Sequence, residues 1–144
     1  METQSYANHT QNVPIFHFAL LPVLGLTIIG AGVNLYESLG DHQRLYSASL
    51  ILVLAVALLI TAFLARIFAL KAQDRAIRAE EGLRHFALTG QLPDSRLTIR
   101  QIIALRFAPD SEFPALAQKA AAENLAPGAI KQAIQRWRAD LYRV

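Results

Sequence analysis

The chain has 144 residues, 53% apolar and 17% charged, a net charge of +3, and no cysteine. That length allows one compact unit, or a membrane hairpin with a small domain attached, and it excludes disulfides, thiolate metal sites and cysteine nucleophiles. The charge is uneven: Arg44 is the one Lys or Arg in the first 65 residues, and the other thirteen fall between Arg66 and Val144.

Residues 1–12, METQSYANHTQN, contain no Lys or Arg and read as a short loose polar lead. A secretory signal peptide needs a positive start, so no cleavage is expected here. Val13 to Tyr36 is an apolar run with no formal charge apart from that which His17 can carry. Pro14 suits a first helical turn, and Pro22, inside the run, predicts a kink of the kind membrane helices tolerate. Gly25 and Gly32 lie seven apart and mark a narrow face for close helix approach.

Glu37 to Leu45 is a polar connector with a Gly40-Asp41 turn signal. The run that organises the chain follows. From Tyr46 to Ala65 there is no charge, and Leu, Ile, Val and Ala dominate. Such a run is long enough to cross a hydrocarbon core of ~30 Å as a helix. Ala48, Ala55, Ala62 and Ala69 recur every seven residues, with Ile51, Leu58 and Ala65 between them. This is a helix-packing seam, expected to set Gly25 and Gly32 against Ala55 and Ala62. The spans are therefore about 14–37 and 46–70, antiparallel, within a hairpin of 13–70. By the positive-inside rule the Arg-rich tail and both termini are cytoplasmic.

Residues 71–90 read as a helical stalk continuing the second span. Phe68, Ala72, Ala76, Ala79, Leu83 and Phe86 form its apolar stripe, with Asp74–Arg78 and Glu80–Arg84 as acid-before-base pairs. Residues 91–144 read as three short helices. Thr98 and Gln101 form a capping box ahead of Ile99, Ile102, Ile103 and Phe107. Asp110 is the expected cap of a helix burying Phe113, Leu116, Ala117 and Ala120. Pro127 opens the third, with Ile130, Ala133, Ile134, Trp137 and Leu141 on one side. The expected fold is all-α: a two-helix transmembrane hairpin, a stalk and a small three-helix cytoplasmic domain.

No nucleotide, serine-hydrolase or zinc motif is present. Of the histidines His9, His17, His42 and His85, none has ligand spacing with another, and His17 reads as an interfacial, hydrogen-bonded residue. No cofactor, metal or catalytic residue is expected, and the chain reads as non-catalytic. Arg66 sits where a long cation snorkels to headgroups. Together with Lys71, Gln73, Asp74, Arg75 and Arg78 it offers a contact for anionic lipid or a protein partner. A competing reading takes residues 115–138 as a helix-turn-helix presenting Lys131, Gln132, Gln135 and Arg138 to a DNA groove. Interleaved acids favour the lipid or protein contact over nucleic acid. A homo-oligomer or a larger membrane complex is the expected assembly.

Asn8-His9, Pro14-x-Phe16-His17, QDRAIRAE at 73–80, LRFAPDSEFP at 105–114 and IKQAIQRWRADLYRV at 130–144 carry a resemblance. In these the chain resembles an uncharacterised family, a domain of unknown function, of small bacterial membrane proteins with two spans. Phe113 stands where leucine is more usual. The resemblance implies a bacterial inner-membrane protein with a helical cytoplasmic tail, and it implies no activity.

Overall fold

A computed structural model describes residues 4–8 and 12–141. Among these residues all regular structure is helical. Helix α1 spans Ile15–Glu37, α2 His42–Thr89, α3 Ile99–Leu105, α4 Phe113–Glu123 and α5 Pro127–Ala133. The chain divides into two compact units, Asn12–Ala69 and a second made of Leu70–Val144 with the N-terminal lead. His9 lies outside the described residues.

In the first unit, α1 opens with a π-wound stretch, Ile15–Leu20, and turns α-helical at Leu21. The Leu21 N–H reaches back five residues to the Phe16 carbonyl. Pro22 explains the change: its ring crowds the preceding turn and it brings no N–H, and one wide turn absorbs the misfit. The expected kink thus takes the form of a π-turn. The link to α2 is four residues, Ser38 to Asp41, rather than nine. Gly40 takes φ +101°, a left-handed conformation that glycine adopts without penalty. The Asp41 carboxylate then accepts the N–H groups of Gln43 and Arg44 at 3.1 and 3.2 Å, so α2 starts four residues early.

The buried positions of this unit are Leu24 and Ala31 on one helix, Ser38 just past its end, and Ala48 and Ala55 on the other. Phe16 meets Phe63 edge to face at 6.4 Å, and the Arg66 guanidinium lies 5.9 Å over the Phe16 ring. The alanines of the expected seam differ in burial. Ala48 and Ala55 are buried, Ala62 is half-buried and Ala69 exposed, while Leu52 and Leu59, not Ile51 and Leu58, flank them inward. Gly25 and Gly32 are only half-buried, and a Cβ built on either would meet nothing within 4 Å. Among the described residues, then, no other helix of this chain approaches either glycine closely.

The second unit has one apolar core. Leu105, Phe107, Phe113 and Ile130 are its most enclosed large side chains. Thr98 and Gln101 close the expected capping box, the Gln101 N–H donating to Thr98 Oγ1 and the Thr98 N–H to Gln101 Oε1. The Gln101 amide also donates to the Leu125 carbonyl at 2.9 Å, tying α3 to the turn after α4. Phe113, Leu116, Ala117 and Ala120 are buried as their spacing predicts. Asp110 is not the cap of α4, which falls to Glu112; Asp110 pairs with Arg84 instead. Within the lead, Gln4 Oε1 accepts the Asp140 N–H at 2.8 Å.

Two larger departures shape the surface. The first is α5, which stops at Ala133 instead of running to Leu141. Glu112 captures the Gln135 and Arg136 N–H groups at 3.0 and 3.2 Å, and the Phe107 carbonyl accepts the Arg138 N–H at 2.7 Å. These bonds satisfy the backbone outside a helix and set Trp137 4.8 Å from the Phe107 ring. The second departure is the stalk. It is helical as expected, but it turns Ile77, Glu81 and Arg84 inward, not the apolar stripe. Leu83 is 70% exposed and Phe86 50%.

The loop before α3 has one local clamp. Asp94 takes three hydrogen bonds from the Arg96 guanidinium, the shortest 2.7 Å, and one from the Arg96 N–H at 2.9 Å. These hold its carboxyl well below the usual range, at about 2. The clamp is thus fully formed above the ordinary carboxylate pKa and is lost as pH falls through about 2. A carbon-13 titration of the Asp94 carboxyl in the folded protein should give a midpoint near 2; a midpoint at the ordinary aspartate value of 3.8 would mean that the clamp does not form.

Candidate functional site

The polar residues of the second unit converge where lower α2, the part of the helix from Leu70 to Thr89, meets the segment after α5. Glu81, 5% exposed, accepts from Arg84 at 2.8 Å and from Arg138 at 3.2 Å. Arg84 donates further to Asp110 at 2.7 Å and to the Ala108 carbonyl at 2.7 Å, and its guanidinium lies 4.5 Å over the Phe113 ring. Nearby, Arg106 pairs with Asp140 at 2.7 Å. A cleft of about 520 Å³ runs past Gln73, Glu80, Glu81, Arg106, Arg138 and Asp140.

Chemically this cleft is occupied by its own charges. Two of its three acids, Glu81 and Asp140, are held by arginines. Among the described residues no buried side-chain nitrogen or oxygen lacks a hydrogen-bond partner, and no cluster of three or more His, Asp or Glu could hold a metal ion. The network is a lock: it fixes α2 to the loop after α3 and to the C-terminal segment. The sequence reading missed it, having paired Arg84 with Glu80. The available signal was Glu81 beside Ile77, which share one helical face four residues apart.

The expected contact residues separate. Arg66 belongs to the first unit, half-buried over Phe16. Lys71, Arg75 and Arg78 are exposed on one stripe of α2, while Gln73 and Asp74 are half-buried. His17 Nδ1 lies 2.9 Å from the Val13 carbonyl and 3.2 Å from its N–H, inside the π-turn. His85 is engaged too, its Nδ1 2.8 Å from the Gln91 carbonyl. The face proposed for DNA is not assembled on one helix. Lys131 and Gln132 lie on α5, with Lys131 5.7 Å over the Phe107 ring, whereas Gln135 and Arg138 lie beyond its end.

The surface left open is apolar. Leu83, Phe86 and Leu92 are exposed. With Ala79, Gly82 and Pro93 they line a groove of about 730 Å³.

The described residues define an all-helical protein with two helices long and apolar enough to span a membrane and an exposed apolar groove. The chain belongs to the family of unknown function DUF6526, whose model matches residues 1–144. No curated protein and no solved structure matches it.

Proposed function

We propose that the protein is a non-catalytic integral membrane protein of the bacterial inner membrane, acting as a self-assembling or accessory subunit of a membrane complex. In this reading α1 and the first half of α2 form an antiparallel two-span hairpin, both termini are cytoplasmic, and Arg66, Lys71, Arg75 and Arg78 meet anionic lipid or a partner. The observation that carries it is exposure. Only 11% of the apolar window of either long helix is buried, and Val23, Ile29, Val53 and Leu54 stand more than half exposed. Water-soluble monomers rarely leave contiguous apolar patches above a few hundred Å², whereas lipid accepts such a surface without penalty. The hydroxyls in these runs suit lipid as well. Thr27 donates to the Val23 carbonyl at 2.8 Å and Thr61 to Ala57 at 2.8 Å, so neither needs water.

Basic residues concentrated after the second span support the sidedness. Mild-detergent extraction from native membranes should yield a defined oligomer or a co-purifying protein. A monodisperse monomer, at the concentration found in the membrane, contradicts the subunit reading.

A further inference from the structure

We infer that lower α2 is a parallel self-association helix whose partner is the α2 of a second copy of this chain. The inference rests on the membrane reading above, which orients all copies alike. Ala72, Ala76, Ala79, Leu83 and Phe86 follow one another at spacings of four, three, four and three, the a/d rhythm of a two-stranded coil. All five are exposed. They are apolar side chains on a helix whose opposite face, through Ile77, Glu81 and Arg84, already packs within its own unit.

Charge complementarity selects the occupant. With Leu83 at an a position, Arg75 falls at g and Glu80 at the following e, five residues on. In a parallel coil a g side chain meets the next e side chain of the partner, so each copy offers Arg75 to the other's Glu80. Both are exposed, and neither forms an ion pair among the described residues. A lipid surface would want cations on both flanks of the apolar stripe; here one flank carries an acid.

Gly82 points the same way. Glycine weakens a helix interior, and no close contact inside the chain requires it, since an added Cβ would meet nothing within 4 Å. At its g position it leaves room for a neighbouring helix. Membrane confinement raises the effective concentration enough for a seam this short to act.

The chain has no cysteine, which makes disulfide trapping clean. Single variants Ala76→Cys, Ala79→Cys and Leu83→Cys of the full-length protein, oxidised mildly in native membranes, should give a band of twice the monomer mass. Because a disulfide needs Cα atoms within ~7 Å, Lys71→Cys and Arg78→Cys should give at least about fivefold less. In the Leu83→Cys background, Arg75→Glu or Glu80→Arg alone should lower the dimer about two- to tenfold, and the double swap should restore it. Trapping strongest at 71 and 78, trapping only to a protein of another mass, trapping absent at all three seam positions, or a double swap without rescue overturns the inference. If the chain pellets with membranes and is oligomeric yet shows none of the seam dimer, only this inference falls. If it does not pellet, the membrane reading falls first.

Discussion

On the membrane reading proposed above, Phe107→Ala should unfold the C-terminal unit while leaving the apolar helices in the membrane. Phe107 is fully buried, shares the core with Leu105, Phe113 and Ile130, and carries Trp137 on its ring. Deleting a buried phenylalanine costs about 3–5 kcal/mol. A core of this size rarely supplies more than roughly 3–5 kcal/mol in all, so the single change removes most of the margin. Limited proteolysis of membrane-embedded protein should cut residues 91–141 rapidly in the variant and slowly in the wild type. Leu83→Ala, at a position 70% exposed, should leave the unit intact. Protection of the Phe107→Ala unit equal to wild type would mean that the core is not where its strength lies.

The second large effect concerns the buried charges, where removing one partner should cost more than removing two. Arg84→Met leaves Glu81, 5% exposed, with only Arg138, whose side chain is 52% exposed. Breaking a buried pair by deleting one partner costs about 3–5 kcal/mol. The surviving Arg138 contact places this case at the lower end. In Glu81→Met with Arg84→Met no carboxylate of the described residues remains buried. Asp110 and Arg138, 69% and 52% exposed, are left to water. Replacing both members of a buried pair with apolar groups of similar size is often close to neutral. The double variant should therefore be more stable than Arg84→Met alone by about 1–3 kcal/mol, read from thermal melts of the full-length protein in detergent. A double variant as unstable as the sum of the singles would show that Glu81 and Arg84 contribute independently.

Much of the architecture was legible because it follows from local patterns. The two apolar runs announced themselves by length, the Thr98–Gln101 box by its spacing, and α4 by the burial of Phe113, Leu116, Ala117 and Ala120. What was not legible depends on partners distant in sequence. The helical period of Ile130 to Leu141 is real, yet Glu112, more than twenty residues earlier, takes the N–H groups of Gln135 and Arg136 and ends α5. The choice of inward face on lower α2 was misread for the same reason. An apolar stripe is the usual core face, but here Glu81 and Arg84 find ion-pair partners across the unit in Arg138 and Asp110. The seam of the first unit was half legible. Alanines every seven residues identified the face, while its flanking residues, Leu52 and Leu59 in place of Ile51 and Leu58, depend on how α2 is rotated. Of the candidate site, the exposed Lys71, Arg75 and Arg78 could be read directly; the apolar groove could not, since nothing local says that Leu83 and Phe86 stay uncovered.

The central claim is that α1 and the first half of α2 lie in lipid. Its most direct test is an alkaline carbonate wash of membranes from cells making the full-length chain, followed by sedimentation and release with detergent. The protein should remain in the washed pellet and leave it only when detergent is added. A folded, monodisperse chain in the detergent-free supernatant would contradict it, and would make the exposed valines, leucines and isoleucines of both long helices part of a water-soluble assembly.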